Sequence, residues 1–404
     1  MSSNSLSSNS SSYDNQSSYF TFEGFDNQSL FTSTPYFIGG KQPRVHHKPR
    51  VQHKPRVQRK STINVPQINP TNQLITAQSI DQSFYQPLEE YLQSFQCTKE
   101  IQHPPSYISK FDRIVSLGDI HGDFDALLIA LYKSKLINKQ GHWIGGTTLF
   151  VQVGDFLDKG GRGHTVQVGA NEDSSEWKII LFLIQLQQEA RKAGGQVIPL
   201  LGNHELMNIQ HTFSNTTKET NRFFGGARKR KELFTRGGPI AKILSCLTNS
   251  MVAIGSSRNG GPWIFCHAGI LPKYIQSVPS LQTMNQEIRK WIRDPHYQPS
   301  PDIQKLLTDS DSIFWTRFYG ETMTPQTCSV LQQSLQLISG LKKRKSGGLV
   351  IGHSVQEHGI STACDQQLWR IDNGASDAFG KKPNKVNHIQ TLEILPNQSP
   401  RVIQ

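Results

Sequence analysis

An α/β layered fold is predicted, and three observations predict it. Short apolar runs alternate with amphipathic stretches through most of the last three-quarters of the chain. Five of those runs are followed at once by Asp, Asn or His close to a glycine. At 404 residues the chain is long enough to bury a sizeable core.

Residues 1–42 come first, rich in Ser, Asn, Gln and Gly, with Lys41 as the first basic residue. Such a segment buries too little apolar surface to offset its ordering entropy and is expected to be a disordered tail. Residues 43–60 repeat Pro-Arg-Val every six positions, at Pro43-Arg44-Val45, Pro49-Arg50-Val51 and Pro55-Arg56-Val57. Regular proline forbids a continuous helix, so this reads as an extended cationic arm. It suits either docking to nucleic acid or another polyanion, or a plain solvated linker. Residues 61–108 read as a linker with a helix within 80–98 around Tyr85, Leu88, Tyr91 and Leu92, interrupted near Pro87.

Residues 109–396 have globular texture, and 397–404 are expected to be a C-terminal tail. Buried strands are predicted at Arg113–Leu117, Thr148–Val153, Gln196–Leu201, Trp263–Cys266 and Gly348–Ile351. Phe124, Leu127, Leu128 and Leu131 keep helical spacing behind Asp123 as N-cap. A second helix should begin near Ser174 or Ser175, bury Trp177, Ile180, Leu181 and Ile184, and end at Gly194-Gly195.

Net charge is +12, which favours phosphorylated or polyanionic partners. Residues 1–108 hold nine basic and seven acidic groups, so most of the excess lies in the globular part. The five cysteines are odd in number and widely spaced without C-x-x-C, which argues against a disulfide framework or a thiolate zinc site. A reducing, intracellular compartment is the simpler expectation, cytoplasmic or, through the basic stretch, nuclear. No basic n-region opens the chain, and the apolar stretch Ile179 to Leu186 is broken by Gln185 and too short to span a bilayer. A soluble protein without membrane contact is expected. Its oligomeric state is not legible.

The chemistry lies after the strands. Gly118-Asp119-Ile120-His121-Gly122 follows the first, Gly154-Asp155-Phe156-Leu157-Asp158 the second and Gly202-Asn203-His204-Glu205 the third. His267-Ala268-Gly269 follows the fourth and Gly352-His353-Ser354 the fifth. Ligands in layered α/β proteins gather at the carboxyl ends of strands, where glycine leaves room for an ion and a phosphate. Singly, each motif reads as a capped turn, a helix start or a core histidine. Five in this order point to one centre. Carboxylate, imidazole and amide ligands without thiolate suit manganese, iron or zinc. Asp155 is the natural bridge between two such ions, which together can acidify a water for in-line attack on a phosphoester.

On these motifs the sequence resembles the calcineurin-like metallophosphoesterases, and among them the phosphoprotein phosphatases of the Shewanella-like branch. The resemblance spans Arg113 to Gly380 and includes Arg236-Gly237-Gly238-Pro239, Trp315-Thr316-Arg317, Leu368-Trp369-Arg370-Ile371-Asp372 and Phe379-Gly380. It implies a layered β-sandwich flanked by helices, with a dinuclear metal site at the strand C-termini. It also implies that Asp119, His121 and Asp155 bind one divalent ion and that Asp155, Asn203, His267 and His353 bind the other. His204 would be the general acid, oriented by Asp158, and a metal-bridging hydroxide would attack phosphorus directly. A phosphorylated protein carrying phosphoserine, phosphothreonine or phosphotyrosine would be the substrate.

One motif departs from the family pattern G-D-x-x-D-R-G. Here Asp158 is followed by Lys159-Gly160-Gly161-Arg162-Gly163. Either Lys159 clamps phosphate as a point charge, or Arg162 reaches back and shares the task with Arg317; the second reading is favoured. The basic residues between Lys218 and Arg236, where the branch often carries a helical cap, and Lys342-Lys343-Arg344-Lys345 read as a positive rim or as solvated faces. Two other functions compete: a nucleotide or dinucleoside polyphosphate hydrolase, and a polyanion-binding protein on a phosphatase-like scaffold.

Overall fold

The computed structural model describes residues 75–97, 103–160, 173–256, 258, 261–339, 347–380 and 385–404. The expected tail and basic arm, Arg162 and the cluster Lys342 to Lys345 lie outside the described residues. Eleven strands are present among those described: β1 Tyr107–Ile108, β2 Ile114–Leu117, β3 Leu149–Gln152, β4 Gln196–Pro199, β5 Met251–Ile254, β6 Trp263–Cys266, β7 Gly348–Ile351, β8 Ser361–Ala363, β9 Leu368–Arg370, β10 Thr391–Ile394 and β11 Arg401–Ile403.

They form two sheets. One runs β11-β10-β2-β3-β4 and the other β1-β5-β6-β7-β9-β8. In the first, β2, β3 and β4 are parallel; in the second, β6, β7 and β9 are. Parallel neighbours point their carboxyl ends the same way, so the loops after β2, β3 and β4 leave one edge, and those after β6 and β7 share an edge of the other sheet. Alternate residues explain the layering. Ile114, Val151, Ile198, Phe265, Val350 and Leu392 form one apolar cluster between the sheets. Val115, Phe150, Val197, Ile264 and Leu349 point the other way and join the larger cluster under the helices. Strands buried on both faces read as continuous apolar runs, which is why the sequence betrays them.

Helices cover the outer faces. Phe124–Lys133 begins where Asp123 Oδ1 accepts the Ala126 N–H, so the expected cap is present. Ser175–Lys192 starts and stops where predicted and buries Trp177, Ile180, Leu181 and Ile184. Leu88–Ser94 begins only after Pro87, so the expected helix is shorter than read and leaves Tyr85 outside it.

Three expectations are corrected. Residues 61–108 are more than linker: Ile75, Ile80 and Phe84 belong to the main core, with the Phe84 ring 5.2 Å from that of Phe182. The expected C-terminal tail holds β11, which pairs antiparallel with β10. The cysteines are not unpaired: Cys97 bonds Cys246 and Cys328 bonds Cys364, and Cys266 remains as a buried thiol. Sequence separations of 149 and 36 hide the fact that folding brings the paired Cα atoms to 6.0 and 5.4 Å. The argument from cysteine spacing to a reducing compartment therefore falls. Among the described residues no helix is long and apolar enough to cross a membrane.

Candidate active site

The five strand ends bring the predicted residues into one buried cluster. Asp119 and His121 follow β2, Asp155 and Asp158 follow β3, Asn203 and His204 open the helix Asn203–Ile209 after β4, and His267 and His353 follow β6 and β7. Each of these eight side chains is less than a tenth exposed. His121, Asp155, Asp158 and His353 all take positive φ, at 38°, 57°, 66° and 64°. Non-glycine residues enter that region at a strain of about 1–3 kcal/mol each, held by the surrounding structure.

Asp155 is the hub. Its Oδ2 lies 3.3 Å from His267 Nε2, 3.8 Å from His204 Nε2 and 3.9 Å from His121 Nε2. Burial alone would raise this carboxyl, but His267, His204 and His121 together hold it well below the usual carboxylate range. Asp119 is driven the other way, by burial first and then by the carboxylates of Asp372 and Asp155. Its two oxygens accept the His353 N–H at 3.2 and 3.1 Å, which locks the β7 loop to the β2 loop.

Around Asn203 the groups that meet are lone-pair donors. His267 Nδ1–H donates to the Val153 carbonyl at 2.9 Å, which turns Nε2 toward Asn203 Oδ1 at 2.8 Å. His353 Nε2–H donates to the Trp315 carbonyl at 3.1 Å, which turns Nδ1 toward the same Oδ1 at 3.0 Å. His353 is pushed down to about 3, chiefly by burial, so its ring is neutral near pH 7. Two ring nitrogens, an amide oxygen and a carboxylate aimed at one point are the donor set of a borderline cation. Glycine keeps the space open: a Cβ at Gly202 would overlap Asp155 Oδ1, and one at Gly352 would overlap Asp119 Oδ1. Among the described residues two groups offer cation-binding geometry, His121 with Asp155 and His204, and Asp155 with His267 and His353. The residues therefore fit a pair of divalent ions sharing Asp155.

Beside this cluster sits the pair His204–Asp158. Asp158 Oδ2 accepts from His204 Nδ1 at 3.0 Å, which leaves Nε2 directed toward Asp155. The His204 N–H also donates to Asp155 Oδ1 at 2.9 Å, so the hub and the histidine are held in register.

The expected phosphate clamps separate. Arg317 is exposed, with Nη1 donating to the His353 carbonyl at 3.2 Å, so it stands at the rim. Lys159 is buried, and its charge acts on Asp123, the cap of the following helix. Arg236 donates to the carbonyls of Trp291, Asp294 and Tyr297, which makes the R-G-G-P turn a scaffold piece.

Several participants escaped the sequence reading. Glu205 accepts four backbone N–H groups, from Gly202, Asp155, Phe156 and Leu157, and so shapes the β3 and β4 loops together. Asn208 donates to both Asp158 oxygens at 2.9 and 3.0 Å. Its position four residues after His204 on one helix face was a usable signal. Glu176 and Arg230 gave none. The positive rim read from Lys218 to Arg236 is also only partly a rim, because Arg230 is wholly buried.

Comparison with known proteins agrees with this geometry. The profile of the calcineurin-like phosphoesterases matches residues 112–356, more than half of the chain. Shewanella-like protein phosphatase 2 of Arabidopsis thaliana is 29% identical over 313 residues, covering 66% of this chain and 72% of the relative. Shewanella-like protein phosphatase 1 of Plasmodium berghei is 31% identical, covering 67% and 71%. The cold-active protein-tyrosine phosphatase of a psychrophilic Shewanella shares the fold, with a TM-score of 0.59 at 23% identity over 76% of this chain and 85% of that one. With the profile spanning every strand-end motif from Asp119 to His353, the chain belongs to the calcineurin-like phosphoesterase family, as a metallophosphoesterase whose relatives include Shewanella-like protein phosphatases.

Proposed function

We propose that this metallophosphoesterase removes phosphate from phosphorylated serine, threonine or tyrosine side chains of proteins. The observation that carries the reading is the convergence of three imidazoles on Asp155 Oδ2, between 3.3 and 3.9 Å. The relatives named as protein phosphatases support the substrate class.

The family uses divalent metals. Here Asp119, His121 and Asp155 would hold one, and Asp155, Asn203, His267 and His353 the other. When bound, the ions neutralise phosphate charge and acidify water. The protein's own groups do the rest. His204 delivers a proton from Nε2 to the departing oxygen, and Asp158 holds the ring by accepting Nδ1–H. Asp158 also stabilises the imidazolium before that proton is given up. Arg317, exposed beside His353, offers a planar fork to the phosphate as it enters. Lys159 is less suited to this task, since it is buried.

The test is a panel of phosphoserine, phosphothreonine and phosphotyrosine peptides beside ATP and dinucleoside polyphosphates, with manganese supplied. Faster release from at least one peptide class supports the reading. Hydrolysis confined to the nucleotides would overturn it in favour of a nucleotide hydrolase.

A further inference from the structure

The helix Ala227–Phe234 carries Arg228, Lys229, Arg230 and Lys231, and of these Arg230 alone is buried. Its guanidinium packs against the rings of Phe224 and Phe234, 4.9 and 4.8 Å from their centroids, where the two rings meet edge to face. From that position it reaches three partners. Nη2 donates to Glu176 Oε2 at 2.9 Å and to Asp158 Oδ1 at 3.2 Å, while Nε donates to Asn208 Oδ1 at 2.8 Å.

The bond to Asn208 completes the seat of its amide. With Oδ1 engaged by Arg230 Nε, the NH2 group faces Asp158 and donates to both carboxylate oxygens. The same NH2 donates to the His204 carbonyl at 2.9 Å, and without Arg230 the buried Oδ1 would lose its donor, which loosens the seat of the amide in a dry site. Glu176 completes the frame by accepting the Asp158 N–H at 3.0 Å and balancing the guanidinium charge. Asp158 is thus held by Arg230 and Asn208 at its carboxylate and by Glu176 at its backbone, and the same carboxylate accepts the His204 Nδ1–H.

We infer that Arg230 is a positioning residue for His204: it fixes the Asn208 amide and the Asp158 carboxylate, and through them aims the His204 Nε2 at the leaving oxygen. The inference rests on the reading of His204 as proton donor. It also gives the cap segment a part in the chemistry, because the helix that presents a basic face to solvent carries the anchor of the dyad on its inner face.

Deleting Arg230 alone would leave two buried carboxylates without their counter-charge. The test therefore uses the pair R230M/E176Q. Met keeps an apolar stem against the rings, Gln keeps an oxygen for the Asp158 N–H, and the net charge of the cluster is unchanged. Two readouts are taken. The first is kcat with manganese for phenyl phosphate, a poor leaving group that needs the proton, against p-nitrophenyl phosphate, which needs it far less. The second is the His204 imidazole N–H resonance in metal-free, 15N-histidine-labelled protein, assigned by its loss in His204→Asn.

The expected result is a fall in kcat on phenyl phosphate that exceeds the fall on p-nitrophenyl phosphate by about tenfold or more, with KM little changed and the imidazole resonance shifted or broadened. An unchanged ratio between the esters, or an unmoved resonance, would overturn the inference and leave Arg230 as a cap anchor only. Should the pair fail to fold, Arg230→Lys takes its place with the same expectation, since lysine keeps the charge but has no Nε fork for Asn208. A wild-type chain inactive on both esters would defeat the functional reading instead, and the resonance would still report whether Arg230 orders the ring.

Discussion

Asn203 Oδ1 lies 2.8 Å from His267 Nε2, although the other nitrogen of that ring is already engaged by the Val153 carbonyl. Two electron-rich atoms at this distance, with Asp155 Oδ2 3.3 Å away, make sense around a cation. His267→Ala should therefore lower bound metal from about two ions per chain to about one, by elemental analysis of manganese-reconstituted protein. Unchanged stoichiometry would show that His267 is not a ligand.

The aromatic contact of Phe182 with Phe84 and Phe124, at 5.2 and 5.4 Å, joins the stretch before residue 109 to the catalytic core. Phe182 is 1% exposed, so Phe182→Ala should destabilise the chain by about 3–5 kcal/mol in urea unfolding. A loss below about 1 kcal/mol would mean that the site collapses freely and the early stretch is only loosely attached.

Glu393 on β10 pairs with Arg401 on β11 and with Arg113 beside β2. Burial would raise its carboxyl, but the two arginines hold it below the ordinary value of 4.5. A carboxyl depressed in the folded state adds stability that is full above 4.5 and is lost as pH falls through the lower folded value. Glu393→Gln should accordingly be less stable than wild type at pH 7, with the difference shrinking in acid. A difference that stays constant from neutral to strongly acid pH would rule out the ion pairs as its source.

The disulfides make a prediction that the bare sequence does not. Non-reducing peptide mapping should recover Cys97 linked to Cys246 and Cys328 linked to Cys364, and thiol titration should count one cysteine, Cys266, only after unfolding. Reduction of such crosslinks typically lowers stability by about 2–5 kcal/mol each. Free thiols at all five positions in the oxidised protein would contradict the pairing.

What the sequence shows and what it hides follow from range. The strands with two buried faces, the Asp123 cap and the ligands at strand ends are local patterns, readable over a few residues. Glu205 was in view within its own motif, yet its grip on the Asp155, Phe156 and Leu157 amides is set by a loop some fifty positions away. Arg230 looked like one more charge in a basic run. Only the fold shows that it meets Asp158 at a separation of 72 residues. Cys97 and Cys246 are the same lesson at longer range, and the late strand β11, three residues long, was too short to stand out.

The central claim is a metal centre around Asp155 served by His204 as proton donor. It is tested most directly by hydrolysis of phenyl phosphate, with and without manganese, by the full chain and by His204→Asn. The account predicts turnover that requires the metal and falls by ~10²- to 10⁴-fold in the variant, because a poor leaving group then departs unprotonated. Turnover that ignores the metal, or that survives in His204→Asn, would contradict it.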